Sequence, residues 1–269
     1  MRPAIIAHRG ARSLAPENTL AAARLAYELG ADLWETDVGV TADGALILFH
    51  DDALTRTTDA EQRFPDRAPW TFTAFTLEEI RSLDAGSRFV ETDPFGEIAA
   101  GHVAPEALAG YRGVPVPTVE EAVSLTQALG WRVNLELKRQ PPPMDAFPLL
   151  EAVFALLDRL KAGPETVILS SFDLDLLRRA RRLRPEFRYQ AVLGFFRDRP
   201  IDWQAAADFD ELNPRAGLTP PAKVAELAAA GKRVHPWTVN DPEEALGYLE
   251  AGAAGLFTDY PQRLVPLVR

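Results

Sequence analysis

Two histidines and three carboxylates lie within or at the ends of short apolar runs of this 269-residue chain. His8 closes one run and His50 closes another. The carboxylates are Glu35, Asp37 and Glu136. One imidazole can accept a proton near neutral pH while the other donates one, and crowded carboxylates need a cation to neutralise their repulsion. If the runs are neighbouring strands, the five side chains fit proton transfer at a metal-bound phosphate.

Each of these residues also has a structural interpretation. Glu35 and Asp37 resemble an ordinary exposed or salt-bridged pair, and Glu136 with Lys138 fits a buried ion pair at a strand end. A lone strand-end histidine is more often structural than catalytic. The catalytic interpretation is favoured because Glu35 and Asp37 lie between strongly apolar neighbours beside a hairpin histidine. His8 and His50 also occupy corresponding strand ends, where barrel enzymes place catalytic groups.

A metal in this chain must bind through oxygen or imidazole, because no cysteine is present. Carboxylate ligands without sulfur favour Mg²⁺ or Ca²⁺, with Mn²⁺ as a substitute. We therefore predict that the three carboxylates bind a divalent metal. Of the other histidines, His102 is interpreted as a solvated loop residue and His235 as a packed barrel residue.

Two further residues are candidates for substrate binding. Arg9 directly follows His8, and its planar guanidinium could hold phosphate oxygens, although a salt bridge to a site carboxylate fits equally well. Trp237 could form an apolar wall for a substrate, or it could belong to the core.

The elements that position these residues alternate between β-rich runs and helical patterns, which is typical of βα units around a parallel sheet. After the run ending at His8, strands are predicted at Asp32 to Val40, Arg132 to Lys138, Val167 to Phe172, Tyr189 to Gly194, Phe209 to Asn213, Arg233 to Val239 and Gly255 to Thr258. Helices are predicted from Leu20 to Leu29, Thr118 to Leu129, Phe147 to Leu160, Leu174 to Leu183, Pro221 to Ala230 and Pro242 to Ala251. Eight strands in about 250 residues indicate one α/β TIM (β/α)8 barrel spanning residues 1–269.

A hairpin is predicted after strand two, because Asp43-Gly44 is flanked by alternating apolar residues. If Asp43 and Gly44 form a two-residue loop, His50 lies opposite Asp37. If Ala42 and Asp43 are the central residues, His50 lies opposite Glu35. Either register places the imidazole beside a carboxylate.

Residues 52–117 interrupt the βα rhythm, with one helical stretch near Leu77 to Leu83. A loop this long is uncommon without structure of its own, so we interpret the segment as a small inserted subdomain that caps the barrel mouth.

The net charge of −10 argues against a large basic face of the kind that nucleic acid or anionic lipid requires. We expect no nucleic-acid partner and no stable membrane insertion. The chain has no signal-type stretch and no apolar run of about 18 residues, which predicts a cytoplasmic protein. The oligomeric state is not predicted.

The sequence resembles the glycerophosphodiester phosphodiesterases of the phospholipase C-like superfamily. The resemblance rests on motifs that span nearly the whole chain in order, among them His8-Arg9-Gly10, Pro16-Glu17-Asn18-Thr19, Glu35-Thr36-Asp37-Val38, His50-Asp51, Glu136-Leu137-Lys138, Trp237-Thr238-Val239-Asn240 and Thr258-Asp259-Tyr260-Pro261. It implies a TIM barrel and a role in lipid and glycerol metabolism, by hydrolysis of glycerophosphodiesters to glycerol 3-phosphate and an alcohol.

The resemblance also implies roles for single residues. His8 and His50 would be the general base and acid, and Arg9 and Lys138 would lie close to the phosphate. Residues 35, 37 and 136 would bind the metal. The stretch from 88 to 112 looks longer than is usual in the family, which bears on the size of the alcohol that the pocket accepts.

Three alternatives compete with this hypothesis. A lysophospholipase D activity would favour an exposed apolar rim, for which the inserted segment offers Phe64, Trp70, Phe72 and Phe75. A non-catalytic binding barrel is disfavoured because both histidines and all three carboxylates are intact. A metal-dependent enolising lyase on the same barrel is less favoured, because such sites draw carboxylates from successive strands and a base from across the pocket.

Overall fold

Residues 2–269, which the computed structural model describes, contain eight parallel strands that alternate with helices, and a ninth, antiparallel strand in a hairpin. The strands are β1 (Ala4–His8), β2 (Leu33–Val40), β3 (Leu46–Leu48), β4 (Val133–Leu137), β5 (Val167–Ser171), β6 (Arg188–Leu193), β7 (Glu211–Pro214), β8 (Arg233–Val234) and β9 (Gly255–Thr258). All of the neighbouring pairs are parallel except β2 with β3.

The helices cover the outside of the strands. They are α1 (Leu20–Glu28), α2 (Ala60–Arg63), α3 (Leu77–Arg81), α4 (Ser87–Thr92), α5 (Pro105–Tyr111), α6 (Val119–Ala128), α7 (Leu149–Leu160), α8 (Leu174–Leu183), α9 (Pro221–Ala229), α10 (Pro242–Glu250) and α11 (Pro261–Val268). Thr118 begins α6 with a capping box, in which its hydroxyl accepts from the Glu121 amide and the Glu121 carboxylate accepts from the Thr118 amide.

The strand order β8-β7-β6-β5-β4-β2-β1-β9 forms a nearly closed barrel. Its two ends meet through backbone hydrogen bonds, which run from Ala254 N to Val234 O at 2.8 Å and from Phe257 N to Pro236 O at 3.0 Å. The predicted TIM barrel is therefore confirmed. Strand β8 ends at Val234 rather than Val239, because Pro236 has no amide hydrogen to extend the ladder.

The barrel interior below the mouth is polar as well as apolar. The Asn134 side chain donates to Gln190 Oε1 at 2.6 Å, Ser170 Oγ donates to Asn134 Oδ1 at 2.6 Å, and the Asn213 side chain donates to Gln190 Oε1 at 2.9 Å. These buried side chains link β4, β5, β6 and β7, and Asn213 Oδ1 is buried without a hydrogen-bond partner among the described residues. Glu136 follows Asn134 by two residues on β4, so its side chain points to the same interior.

The predicted hairpin after β2 is confirmed, but both predicted registers are wrong. Val38 pairs with Leu48 and Val40 pairs with Leu46, so the ladder places His50 opposite Thr36 rather than Asp37 or Glu35. The loop holds three residues, because Thr41 pairs with Ala45 through its backbone amide at 2.9 Å and through its hydroxyl at 2.9 Å. The strand ends at Leu48, and the chain after it bends toward the barrel mouth.

Residues 52–117 contain α2 to α5 and two short 3₁₀ turns. Phe72 and Phe75 are 3% and 0% exposed and pack with Ile47 and Phe49 on the outer face of the hairpin. Phe64 and Trp70 are partly buried against the same cluster. The interpretation of these four aromatics as an exposed rim is therefore wrong, because they cover the protruding hairpin.

The longer stretch from 88 to 112 packs beside α1. Phe89, Val103 and Tyr111 are buried against Leu14 and Ala22. Within residues 52–117, Asp52 is the residue that lines the large cavity at the barrel mouth. The interpretation of the whole segment as a cap stays a prediction.

No helix in residues 2–269 combines the length and the apolar character that crossing a bilayer requires.

Candidate active site

A cavity of about 1620 Å³ opens at the carboxyl ends of the barrel strands. Its lining includes seven of the eight residues predicted for the site, namely His8, Arg9, Glu35, His50, Glu136, Lys138 and Trp237. The eighth, Asp37, is 1% exposed and lies buried next to them. The structure thus brings all of the predicted residues to one cleft.

The three predicted metal ligands converge because of strand register. Asp37 on β2 pairs with Glu136 on β4, and Glu35 points the same way two residues earlier. One carboxylate oxygen from each lies within 4.8 Å of the others. Glu35 Oε1 and Glu136 Oε1 are buried without a hydrogen-bond partner among the described residues. Two orphaned carboxylate oxygens beside a third carboxylate fit a divalent cation with hard oxygen ligands.

Two cations partly neutralise this acidic cluster. Lys138 Nζ lies 2.6 Å from Asp37 Oδ1, and Arg9 Nε lies 3.3 Å from Asp37 Oδ2. Burial would raise the pKa of Asp37, but these two cations hold it well below its usual range. Burial raises the pKa of Glu136 to about 7 despite Lys138, and burial together with Asp37 raises the pKa of Glu35. Without a metal, Glu35 and Glu136 therefore favour their protonated forms, and a divalent cation that binds the cluster would displace their protons.

A strained turn after β1 holds Arg9 over the cluster. Arg9 has a φ of +56° and Gly10 a φ of +82°, which is the left-handed region. The Arg9 amide donates to Glu35 Oε2 at 3.0 Å, and Arg9 Nη1 donates to Glu17 at 2.9 Å. A Cβ at Gly10 would lie 2.6 Å from the Ala22 carbonyl carbon, so only glycine fits. The backbone amide of Arg9 thereby fixes the Glu35 carboxylate.

His8 is held by a carboxylate on the neighbouring strand end. His8 Nδ1 lies 2.7 Å from Asp259 Oδ1, and its Nε2 lies 4.0 Å from Glu35 Oε2. Burial, with the charge of Arg9, lowers the pKa of His8 to about 4, so the ring is neutral at pH 7. Burial would raise the pKa of Asp259, but the hydrogen bond with His8 lowers it to about 2. A neutral ring with Nδ1 hydrogen-bonded to a carboxylate presents Nε2 as a proton acceptor.

His50 has a matching partner. Its Nδ1 lies 2.5 Å from Asp51 Oδ1, and the other Asp51 oxygen is paired with Arg56. Arg56 in turn contacts Glu17 at 2.6 Å, the carboxylate that also binds Arg9. Lys138 Nζ donates to the His50 carbonyl at 3.2 Å. These contacts explain how the bend after β3 brings His50 to the acidic cluster although the hairpin register does not.

Sequence reasoning missed the residues that orient the predicted ones. Asp51 and Asp259 hold the two imidazoles, and the signal available was their position beside His50 and directly after β9. Asn18 was also missed: its amide donates to Asp37 Oδ2 at 2.9 Å, and its Oδ1 accepts from Thr36 at 2.8 Å.

The opposite side of the cleft is aromatic. The Trp237 ring stands edge-to-face with Phe172 at a centroid distance of 5.5 Å, and Phe172 contacts Phe195 at 5.2 Å in the same way. Trp237 Nε1 donates to the Asn213 carbonyl at 2.9 Å. The wall interpretation of Trp237 therefore fits its position.

The two other histidines lie away from this cleft. His235 is 2% exposed inside the barrel, which agrees with its interpretation as a packed residue. His102 is exposed and contacts Glu97 at 2.7 Å in the inserted segment.

The fold and the site define a class. A TIM barrel with two histidine–aspartate pairs and an acidic cluster at its mouth has the groups that acid–base chemistry beside a cation would need. The family model for the glycerophosphoryl diester phosphodiesterase family matches residues 8–263. The chain belongs to this family and is a phosphoric diester hydrolase.

Individual relatives agree with this assignment. A glycerophosphodiester phosphodiesterase of Caldanaerobacter subterraneus subsp. tengcongensis is 32% identical over 269 residues, covering 100% of this chain and 99% of the relative. Another from Bacillus subtilis is 30% identical, covering 95% of this chain and 83% of the relative. Among solved structures, an Oleispira antarctica phosphodiesterase in complex with the product sn-glycerol-3-phosphate has a TM-score of 0.78 at 30% identity, covering 98% of this chain and 96% of that one.

Proposed function

We propose that the protein hydrolyses glycerophosphodiesters to glycerol 3-phosphate and an alcohol in a metal-dependent reaction, with His8 and His50 as the acid–base pair. The observation that carries the proposal is the meeting of two histidine–aspartate pairs with three carboxylates in one cavity. The glycerol 3-phosphate bound to the Oleispira antarctica phosphodiesterase supports the identity of the product.

Glu35, Asp37 and Glu136 would hold the metal, with Mg²⁺ or Ca²⁺ favoured by their oxygen ligands and Mn²⁺ as a substitute. When bound, the ion supplies positive charge that stabilises the phosphoryl oxygens as negative charge builds up. Arg9 and Lys138 add charge at the same edge of the cavity, where both line the cleft. Their present ion pairs with Asp37 show that they also help to hold the acidic cluster in place.

His8 acts as the general base in this scheme. Its ring is neutral at pH 7, and Asp259 holds Nδ1 so that Nε2 is available to take a proton from the nucleophile. As the proton arrives, the Asp259 carboxylate stabilises the resulting imidazolium. The nucleophile is either water or the substrate's glycerol 2-hydroxyl, and the second route gives a cyclic phosphate first.

His50 acts as the general acid. Asp51 lies 2.5 Å from its Nδ1 and fixes the orientation of the ring, so that Nε2 is the nitrogen left for the substrate. The ring is about one-third exposed to the cavity, so its Nε2 can reach the departing alkoxide. Proton donation to that oxygen prevents the expulsion of a free alkoxide, a contribution of about 10²- to 10⁴-fold in rate.

A panel of glycerophosphodiesters assayed with and without chelator tests the proposal, with phosphorus NMR to detect a cyclic product. The expected result is metal-dependent release of glycerol 3-phosphate, and its loss in the His8→Ala, His50→Ala double variant. Undiminished turnover by the double variant, or turnover unaffected by chelator, would refute the proposed mechanism.

A lysophospholipase D activity is the second candidate, because exposed aromatics do occur at the rim. Phe195 and Phe196 are 63% and 52% exposed beside the cavity. Such side chains could contact an acyl chain. Comparing the turnover of a lysophospholipid with that of its deacylated counterpart separates the two activities.

A further inference from the structure

The cleft has two chemically different halves, and the order of the strands fixes which side is which. The histidines, their aspartates and the metal-site carboxylates extend from β9, β1, β2, the hairpin after β2, and β4. The ends of β5, β6, β7 and β8 carry the aromatic side chains and Arg215. In this order β7 is four strands from β2 in either direction, so Arg215 lies across the mouth from Glu35 and Asp37.

Six arginines line the cavity, and four of them already have carboxylate partners. Arg9 and Arg12 pair with Glu17. Arg139 pairs with Asp173, and Arg178 pairs with Asp175 and Asp208. The two remaining arginines, Arg197 and Arg215, form no ion pair within residues 2–269. Arginines usually find an acidic partner in a protein of net charge −10, so two of them left unpaired in one cleft form a local positive site.

Arg215 is fixed in place before any substrate binds. Its Nε donates to the Gly194 carbonyl at 2.6 Å, and its guanidinium lies 4.1 Å from the centre of the Trp237 ring. Gly194 has a φ of +86°, and a Cβ there would lie 2.8 Å from the Arg215 Cβ. Glycine at position 194 therefore permits the close approach. A guanidinium held this way loses little side-chain entropy when it binds a ligand.

Arg197 brings a second positive charge to the same place. It follows Phe195 and Phe196 on the exposed loop after β6 and lines the same cavity. Burial, and then the like charge of Arg197, lower the pKa of Arg215. An anion between the two would relieve this repulsion.

We propose that Arg197 and Arg215 form a second anion-binding site, which selects glycerophosphodiesters whose leaving alcohol carries a phosphate group. The inference rests on the proposed function, because the scissile diester must bind at the opposite half of the cleft. Guanidinium groups bind phosphate through paired hydrogen bonds, which a neutral alcohol cannot provide. The same site disfavours cationic alcohols such as choline, because Arg215 already covers a face of Trp237.

Steady-state kinetics with two substrates that differ in one group test the inference. Glycerophosphoglycerol is compared with its counterpart that carries a terminal phosphate on the leaving glycerol. The wild-type enzyme is expected to prefer the phosphorylated substrate by about 10- to 100-fold in kcat/KM, mainly through KM, since charge-assisted hydrogen bonds are the strong ones. The preference should shrink as salt rises from 0.05 to about 0.5 M.

Two variants locate the effect. Arg197→Gln should reduce the kcat/KM ratio of the two substrates about tenfold or more. Arg182→Gln is the matched control, because Arg182 is also exposed and unpaired within residues 2–269 but lies on α8 away from the cavity lining. Its ratio should equal that of the wild type. Arg215→Lys keeps the charge but loses the paired geometry, and it should reduce the ratio while thermal melting confirms that it folds.

The outcomes are distinguishable. Absence of turnover on both substrates would refute the proposed function itself. Turnover of glycerophosphoglycerol without preference for the phosphorylated substrate, or a ratio unchanged in Arg197→Gln, would overturn the second site alone. A third outcome is that the wild type sediments with phosphatidylglycerol vesicles and Arg197→Gln does not, while the substrate ratio is unchanged. This result would assign the arginines to an anionic lipid surface, and it would also overturn the proposed second site.

Discussion

Replacing Asp259 with asparagine changes one atom of the pair that orients His8. Asp259 Oδ2 accepts a hydrogen bond from the Asn240 side-chain amide at 2.8 Å, and Oδ1 faces His8 Nδ1 at 2.7 Å. The orientation of Asn240 is fixed, because its Oδ1 accepts from the Asp259 backbone amide at 2.9 Å and from Thr258 at 3.2 Å. The introduced amide must therefore turn its oxygen to Asn240 and its NH₂ group to His8.

An NH₂ group facing Nδ1 reverses the tautomer of His8. Nδ1 must then accept a hydrogen bond, so the ring proton moves to Nε2, which can no longer act as a base. We expect Asp259→Asn to lower kcat by about 10²- to 10⁴-fold, the range for losing a general base. The free energy of unfolding should change little, because Asn240 and His8 keep partners, and Arg12 loses its 3.4 Å contact with Asp259 Oδ1 but keeps Glu17 at 2.7 Å.

A second substitution should restore part of the activity. In the double variant Asn240→Asp, Asp259→Asn, the new carboxylate at position 240 accepts a hydrogen bond from the side-chain NH₂ group at position 259. The side-chain oxygen at position 259 is then free to face His8 Nδ1. Recovery of at least about tenfold in kcat is expected, because the tautomer is restored although the charge beside His8 is not. The assay is release of glycerol 3-phosphate, with nitrogen NMR of His8 to report the tautomer. A folded Asp259→Asn variant with wild-type kcat, or a double variant no better than the single one, would refute this reasoning.

Four further predictions concern the acidic cluster and its turn. Glu136→Gln should weaken Mg²⁺ binding at least about tenfold by calorimetry, whereas the control Glu106→Gln on α5 should not change it. Because burial raises the pKa of Glu136 to about 7, protons compete with the metal below that pH. The affinity for Mg²⁺ should therefore rise from pH 6 to pH 8, and an affinity that does not change with pH would contradict this. The raised pKa of Glu136 also makes the free energy of unfolding of the metal-free protein fall as pH rises from about 4.5 through about 7. Urea titrations should show this fall, and saturating Mg²⁺ should restore the lost stability. Gly10→Ala should lower the free energy of unfolding by about 1–3 kcal/mol, since the new Cβ would clash with Ala22 at a residue whose φ is left-handed. An unchanged midpoint of urea unfolding would count against this strain.

The barrel and the main site residues were predictable because their signals are local. His8 closes an apolar run, Glu35 and Glu136 lie within apolar runs, and parallel strands bring their carboxyl ends to one edge. The pairing of His8 with Glu35 and of Asp37 with Glu136 then follows from strand register. Hydrophobic patterning and the strand-end rule were sufficient for this part.

The other features depend on side-chain contacts that periodicity does not encode. The hairpin register shifted by one residue because the Thr41 hydroxyl bonds the Ala45 amide, which favours a three-residue loop. Phe72 and Phe75 looked like an exposed rim, but the hairpin they cover is defined only in three dimensions. Arg215 carries no sequence signal for its role, because its lack of a carboxylate partner depends on all of its neighbours in the fold.

The central claim is that one ion and one phosphate meet between the two imidazoles. A crystal soaked with Mn²⁺ and glycerol 3-phosphate, measured by anomalous diffraction, tests it most directly. We predict one manganese peak at about 2.2 Å from oxygens of Glu35, Asp37 and Glu136, with the phosphate in hydrogen-bonding range of His8 Nε2 and His50 Nε2. A manganese peak elsewhere, or a phosphate out of reach of both rings, would contradict the account.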